Sequence, residues 1–466
     1  MRLNTFKARK VHGYLNYDLE FYPELTFLIG INGSGKTSAL KLILGLISPS
    51  FQFLNQIDYD YAELICSSNN NELDIKIIAR QSKQDNTFTL ILESKDKTFQ
   101  PGIFNRYIKP SIRDIDNEDI SVIEQSLREQ FDVHETVSAI RGFATPKFLG
   151  LDRKIYEGIN IDNKFRNRRY HNLLLKQKKG YLDSENGVSA IDGSLEDVQT
   201  LIYEYFRQIA YKQPVISEEF KRKVLQLSFK FTDDSSLGMI PEDNSSLLEK
   251  KNQVLDAIKN LDINFLNNQA NSFFDQMSDL ITENLKIKQS HDLLKATRPV
   301  NAPDMKALMK WINNSSQMKR IDEIINYSQN YQAKLAELRS PIKRLEDIAT
   351  NFLKEGKKQI KISRDGEIKV KHGGYDLRSI YELSSGEKQI IIMIAHLIFE
   401  EDQKPSGVFI IDEPELSLHI AWQEIFVDSI MEASPKTQFI LATHAPSIIS
   451  KAKREVYCQD LNKLNS

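Results

Sequence analysis

The sequence predicts an α/β protein: a core of parallel strands and helices, an antiparallel β subdomain beside it, and a mainly helical domain inserted in mid-chain. Three observations carry this reading. The apolar run Phe27-Leu28-Ile29 passes into a glycine-rich loop and then an apolar helical stretch. Two further strand-length apolar runs, Val408–Ile411 and Gln438–Ala442, lie far away near the other end. Between Leu195 and about Lys354 the pattern has helical spacing, with Leu201, Tyr205 and Ile209 at core positions of one stripe.

Taken in order, Leu3 to Ile29 is extended, and the helix after the loop runs from Ser38 to Leu46 and closes before Pro49. Tyr61–Cys66, Leu73–Gln81 and Thr87–Glu93 are strand-like, separated by polar stretches such as Ser67–Asn71, and form an antiparallel sheet. Residues 103–145 are irregular or helical and rather acidic, and Lys147–Asp152 is a short apolar strand. Residues 154–194 are polar and turn-rich and read as a mobile loop. The helical region should break near Pro214, Pro241, Pro303 and Pro341. Gln359–Val370 is a hairpin turning at Asp365-Gly366. No repeat of solenoid period is present. The expected boundaries are therefore 1–153 and 357–466 for the two parts of one lobe, with 154–356 as the insert.

At 466 residues the chain is long enough for two or three lobes, with 41% hydrophobic and 27% charged residues. The net charge of −2 sets up no overall field for nucleic acid. Two separated cysteines, Cys66 and Cys458, suit a reducing compartment and exclude a paired-cysteine zinc site. The opening residues lack an apolar signal core, and no run of about 18 apolar residues could span a membrane. A cytoplasmic protein with no membrane partner is expected.

The chemistry concentrates in four segments. Gly30-Ile31-Asn32-Gly33-Ser34-Gly35-Lys36-Thr37 fits GxxxxGK[ST] at every fixed position, after a strand and at the head of a helix. Its backbone N–H groups, continuing through Ser38, can surround phosphate oxygens at a helix N-terminus. Lys36 can reach β- and γ-phosphates, and Thr37 can ligate Mg²⁺. Val408–Ile411 ends at Asp412-Glu413, where a strand tip offers one carboxylate for the metal and one to polarise water. Alone, such a run is an ordinary strand with an acidic tip. Leu383-Ser384-Ser385-Gly386-Glu387-Lys388-Gln389 opens an apolar helix, and Ser385 precedes Asp412 by 27 residues. Alone it is a plain N-cap. Thr443-His444 ends the last strand, where the imidazole could donate to a γ-phosphate. A lone histidine is more often structural.

The order of these four segments resembles the ABC-type ATPase superfamily, over roughly residues 1–95 and 357–455. The resemblance implies a P-loop ABC-type ATPase core that binds ATP and Mg²⁺. It makes Gly30–Thr37 the Walker A motif, Leu383–Gln389 the signature, Asp412 and Glu413 Walker B, Pro414–His419 the D-loop region and His444 the switch histidine. Thr37 and Asp412 would be the metal ligands, and Glu413, His444 and Lys36 the catalytic groups. Gly30, Asn32, Gly33, Ser34, Gly35, Lys36, Thr37 and Ser38 would contact the nucleotide. In this superfamily two lobes meet head to tail, so Ser384, Ser385, Gly386 and Glu387 of one copy would cap the nucleotide of the other. Ser385 stands where the commonest signature has glycine. The neighbourhood of Asp152-Arg153 is the expected place of the Q-loop.

Asp412–His419 (DEPELSLH) and Thr443–Ile449 (THAPSII) are similar to the RecF/OLD-like branch, including ATPases of bacterial antiphage systems such as Septu, PARIS and retrons. OLD-family nucleases carry a Toprim domain after the last motif. With 22 residues after His444, no such domain is expected here. Helical residues broken by prolines should not form a long coiled-coil arm. The resemblance thus implies an ATP-hydrolysing sensor or platform that controls a separate effector such as a nuclease, with no nuclease chemistry of its own. A RecF-like ATPase acting directly on DNA is the alternative, and a transporter cassette or a non-hydrolysing scaffold fits less well. Lys164–Lys179 carries seven lysines and arginines and no acid, with Phe165 and Tyr170 interleaved, and is either a nucleic-acid contact or a solvated loop.

Overall fold

A computed structural model describes residues 1–67, 74–94, 97, 99–107, 117–143, 147–149, 155–157, 190–229, 244–260, 264–293, 302–374, 376–401 and 407–464. The chain divides into two compact units, one of residues 1–203 with 344–466, the other of residues 204–343.

Fifteen strands are described, all in the first unit: β1 (Arg2–Val11), β2 (Leu15–Glu20), β3 (Leu25–Ile29), β4 (Tyr61–Ser67), β5 (Asp74–Ser82), β6 (Thr87–Ser94), β7 (Gly102–Asn105), β8 (Lys147–Leu149), β9 (Ile155–Glu157), β10 (Lys358–Ile362), β11 (Ile368–His372), β12 (Leu377–Ser379), β13 (Val408–Asp412), β14 (Gln438–Thr443) and β15 (Cys458–Asp460). They form an antiparallel sheet in the order β2-β1-β4-β5-β6-β7, a core sheet in the order β15-β3-β14-β13-β8-β9, and a small sheet β10-β11-β12. The core sheet is parallel except at its β8–β9 edge.

Residue pattern explains the difference between the two large sheets. β2 alternates buried and exposed residues along LNYDLE, as a strand with one wet face must. β13 and β14 are buried at every position, because helices cover both faces of a parallel sheet. The helix Lys36–Ile47 is apolar nearly all round. It wedges between the sheets, so Leu40, Leu42, Ile43 and Leu46 share one core with Phe6, Tyr17 and Leu64 on one side and Ile410 and Ile440 on the other. Fully burying each such side chain contributes about 1.5–3 kcal/mol. The two ends of the sequence are also joined by polar bonds. Gln438, 1% exposed, accepts from Leu3 N and donates to Leu3 O and Tyr22 O at 2.7–2.9 Å.

Register sets the site. Thr443 of β14 lies beside Ile29 of β3, and Ala442 of β14 lies beside Asp412 of β13. The glycine loop, Glu413 and His444 therefore all leave the same carboxyl edge of the sheet, where open α/β sheets place ligands.

The second unit is helical. It holds the helices Ser245–Asn260 and Asn267–Leu293 and parts of two long ones, Ala190–Ser228 and Ala302–Leu353. Leu247, Phe274, Met277, Ile281 and Trp311 form its own core.

Two expected helix breaks do not occur. Pro214 and Pro341 lie inside continuous helices of 39 and 52 residues. A proline removes one backbone bond, at a cost of about 3 kcal/mol. Packing on both sides outweighs that: Leu201, Ile209 and Leu227 are buried around Pro214, and Leu345, Ile348 and Phe352 follow Pro341. Tyr205 also donates its hydroxyl to Leu338 O at 2.8 Å, on the turn before Pro341. Proline therefore does not interrupt the long helices at these two positions. Near Pro303 a boundary does fall, with a helix beginning at Ala302. Pro241 lies outside the described residues. Within 103–145 the structure has most of β7 and the helices Asn117–Asp132 and Glu135–Arg141. The basic stretch Lys164–Lys179 and the Asp152-Arg153 neighbourhood lie outside the described residues. Among the described residues, no helix is long and apolar enough to cross a membrane.

Candidate functional site

The phosphate loop is shaped from below. Gly35 has φ +87° and caps the helix in the left-handed region without a side-chain bond, so the helix begins at Lys36, two residues earlier than its apolar pattern suggests. β2 packs directly against this turn. Tyr17 donates its hydroxyl to Gly35 O at 3.0 Å, and a Cβ on Gly35 would collide with that hydroxyl and lie 2.7 Å from Leu15 Cδ1. Burial pushes the Tyr17 phenol well above its ordinary value, so it stays a neutral donor.

Lys36 is 5% exposed, and its ammonium donates to Gly30 O at 2.8 Å and Ile31 O at 3.2 Å. The charge is held over the loop rather than extended into solvent. Ser34 Oγ is buried and makes no hydrogen bond among the described residues. Asn462, near the other end of the sequence, accepts from Ile31 N at 3.4 Å and thereby buttresses the loop.

The two Walker segments meet across 375 residues: Thr37 Oγ1 donates to Asp412 Oδ2 at 2.9 Å. Asp412 is 3% exposed, and its other oxygen, Oδ1, makes no hydrogen bond among the described residues. Burial pushes its carboxyl above the ordinary range. The Thr37 hydroxyl opposes that rise, and the neighbouring Glu413 charge adds to it. A hydroxyl beside a desolvated carboxylate with a spare oxygen is the donor set Mg²⁺ takes, and a cation there would relieve the desolvated charge.

Glu413 follows at φ 48°, ψ 59°, an uncommon conformation for a side-chain-bearing residue, and its N–H donates to Ala442 O at 2.9 Å. The left-handed turn swings the chain from β13 into the short 3₁₀ turn Pro414–Ser417. That turn brings Glu415 back over the end of β14. Glu415 is 9% exposed, accepts from Thr443 Oγ1 and from His444 N at 2.9 Å each, and lies 2.8 Å from His444 Nδ1. The third acid of DEPE thus orients the histidine and leaves Nε2 as its free ring nitrogen. Sequence reasoning assigned Glu415 no role. The only signal was a further carboxylate two residues beyond Glu413.

The signature segment is built separately. Ser384 and Glu387 form a reciprocal capping box at the head of the helix Ser385–Glu401. Ser384 N and Oγ donate to Glu387 Oε2 at 2.8 and 2.9 Å, and Glu387 N donates to Ser384 Oγ at 3.4 Å. Lys358, the first residue of β10, donates to both Glu387 oxygens at 2.8 and 2.9 Å. Burial alone would raise the Glu387 carboxyl, but Lys358 and Ser384 outweigh it and hold it below its ordinary value. Lys388 pairs with Asp192 at 2.9 Å. Hydrogen bonds and strand register therefore join the Walker segments and His444 at one sheet edge. The bonds of Ser384, Glu387 and Lys388 run instead to Lys358 and Asp192.

A 108-residue stretch is 32% identical to the Retron Vc95 probable ATPase of Vibrio cholerae serotype O1 biovar El Tor, covering 21% of each chain. A 79-residue stretch is 33% identical to the Retron Ec83 probable ATPase of Escherichia coli, covering 15% of each. The chain thus matches about a fifth or less of the length of these curated relatives. Among solved structures, the Smc head domain of Pyrococcus furiosus aligns over 96% of this chain and 91% of that chain, at 15% identity and a TM-score of 0.34. The family model described as AAA ATPase domain matches residues 1–449. With that model spanning nearly the whole sequence, the chain belongs to the AAA ATPase domain family.

Proposed function

We propose that this chain binds and hydrolyses ATP as a sensor or platform subunit of an antiphage defence complex, and that it controls a separate effector such as a nuclease. One lobe, assembled from 1–153 and 357–466, carries the nucleotide, and 154–356 is the insert. The observation that carries the ATPase part is the 2.9 Å bond between Thr37 and Asp412, which unites loop and carboxylate at one sheet edge. The likeness to retron probable ATPases supports the defence setting.

In this reading the N–H groups of Gly33–Ser38 and the Lys36 ammonium hold the phosphates, with Lys36 exchanging the carbonyls of Gly30 and Ile31 for phosphate oxygens. Thr37 and Asp412 would hold Mg²⁺, which would supply charge neutralisation to the phosphates. Glu413 accepts a proton from the attacking water. His444, its ring held through Nδ1 against Glu415, donates from Nε2 to the γ-phosphate when both ring nitrogens carry protons. Ser384, Ser385, Gly386 and Glu387 of a second copy close the site from the opposite side, so that ATP clamps two chains head to tail.

The test is a native mass spectrum of Glu413→Gln protein, produced with its genomic neighbours and kept in ATP and Mg²⁺. ATP-loaded chains in even number with a second polypeptide are expected. ATP-free single chains would overturn the shared site. A bare dimer carrying nucleic acid would replace the platform reading with a DNA-maintenance one.

A further inference from the structure

The helix Ala190–Ser228 shows two different faces within the helical unit. On one, the Phe220 ring stacks on Tyr331 at 5.0 Å, Glu219 accepts from Lys334 at 2.7 Å, and Leu227 is 4% exposed. The other face is bare. Tyr211 is 78% exposed, Val215 60%, Leu225 63%, and Phe229, in the turn just past the helix, 83%.

These four residues share their face with Glu218 and Arg222. At 100° per residue, positions 211, 215, 218, 222, 225 and 229 fall within an arc of about 80°, over a length of about 27 Å. Solvated helix faces rarely hold four large apolar groups in one stripe.

The order along the stripe has a symmetry that singles out one partner. Reflected about Phe220, Tyr211 exchanges with Phe229, Val215 with Leu225, and Glu218 with Arg222. An antiparallel second copy of this helix would therefore set apolar against apolar at both ends and opposite charges twice in the middle. A parallel copy would set Glu218 against Glu218 and Arg222 against Arg222. This is the self-complementarity that a twofold, isologous contact requires.

We propose that residues 211–229 form an antiparallel two-helix interface with a second copy of this chain, made without nucleotide. The central pairs are Glu218 with Arg222 of the other copy, twice. Among the described residues Glu218 is bonded only to Lys221, at 2.9 Å between side chains 72% and 65% exposed, and such a surface pair resists little. Arg222 has no ion-pair partner among the described residues. Aromatics bury about 150–250 Å² each, so the four apolar residues of both copies would remove on the order of 1,000 Å² from water, the lower bound of specific interfaces. The contact is therefore modest and reversible. It does not rest on the ATPase reading, because the stripe lies in the unit that does not contain the phosphate loop.

The experiment is sedimentation velocity of the full chain, free of nucleotide, across micromolar concentrations. A reversible two-chain species is expected. Arg222→Glu should weaken it about tenfold or more, because like charges then meet twice. The double exchange Glu218→Arg with Arg222→Glu restores opposite charges and should return the dimer to near the original strength. That recovery separates the contact from a folding defect. A single-chain species throughout would overturn the proposal, and so would a dimer unmoved by Arg222→Glu and by Leu225→Asp. An exchange variant no stronger than the single one would overturn the antiparallel pairing.

Discussion

Removing the Glu415 carboxylate should uncouple His444 from the sheet. In Glu415→Ala two donors lose one acceptor, the Thr443 hydroxyl and the His444 N–H, both at 2.9 Å, and His444 Nδ1 loses its carboxylate neighbour at 2.8 Å. Thr443 is fully buried, so its hydroxyl finds no water, whereas the half-exposed imidazole does. Each buried unsatisfied donor costs about 1–3 kcal/mol, so a total near 3 kcal/mol is expected. Glu415→Gln is the informative control. Its oxygen can serve the His444 N–H while its amide donates to a reoriented Thr443 hydroxyl, so the loss should be about 1 kcal/mol or less. Urea unfolding of the two variants measures the ranking. ATP hydrolysis should fall strongly in the alanine variant and mildly in the glutamine one. If Glu415→Ala loses under about 0.5 kcal/mol, or if both variants lose alike, the hydrogen-bond accounting is wrong.

Three other expectations follow from the geometry. Gly35→Ala should abolish nucleotide binding in a fluorescent-nucleotide titration, because the left-handed backbone costs about 1–2 kcal/mol and the new methyl meets Tyr17. Lys358→Met should destabilise the signature cap at neutral pH, with a difference that shrinks in acid. The Glu387 carboxyl is depressed in the folded state, so its contribution is full above the ordinary value of about 4.3 and is lost as pH falls through the lower folded value. Urea midpoints of variant and parent at pH 7 and at progressively lower pH test that convergence. Tyr205→Phe should cost about 1 kcal/mol in the same assay, by removing the donor to Leu338 O.

The parts of the site that could be read in advance are those whose spacing is local. Gly30–Thr37 needs a strand, a turn and a helix in immediate succession, and these leave a contiguous trace. Asp412 and Glu413 were legible because β13 is apolar on both faces and ends abruptly. Glu415 was not, because its role depends on Glu413 taking a left-handed φ that aims the following turn back at β14. The Lys358–Glu387 pair joins residues 29 apart through the small sheet, which no periodicity records. Pro214 and Pro341 misled for the opposite reason: a local rule was overruled by packing that the local sequence does not contain.

The strand order carries a consequence for biosynthesis. β3 finds its neighbour β14 only after some four hundred residues have been added, and Gln438 grips Leu3 across 435 positions. A growing chain exposes its phosphate loop long before the strand that flanks it exists. Until Gln438–Thr443 has left the ribosome, Leu25–Ile29 lacks a neighbour on that side, and β13 and its carboxylates are equally late arrivals. Closing so long a loop slows folding. The half-made lobe would therefore be a natural client for chaperones, and it would gain the acidic edge of Asp412 and Glu413 only after these late residues have been added.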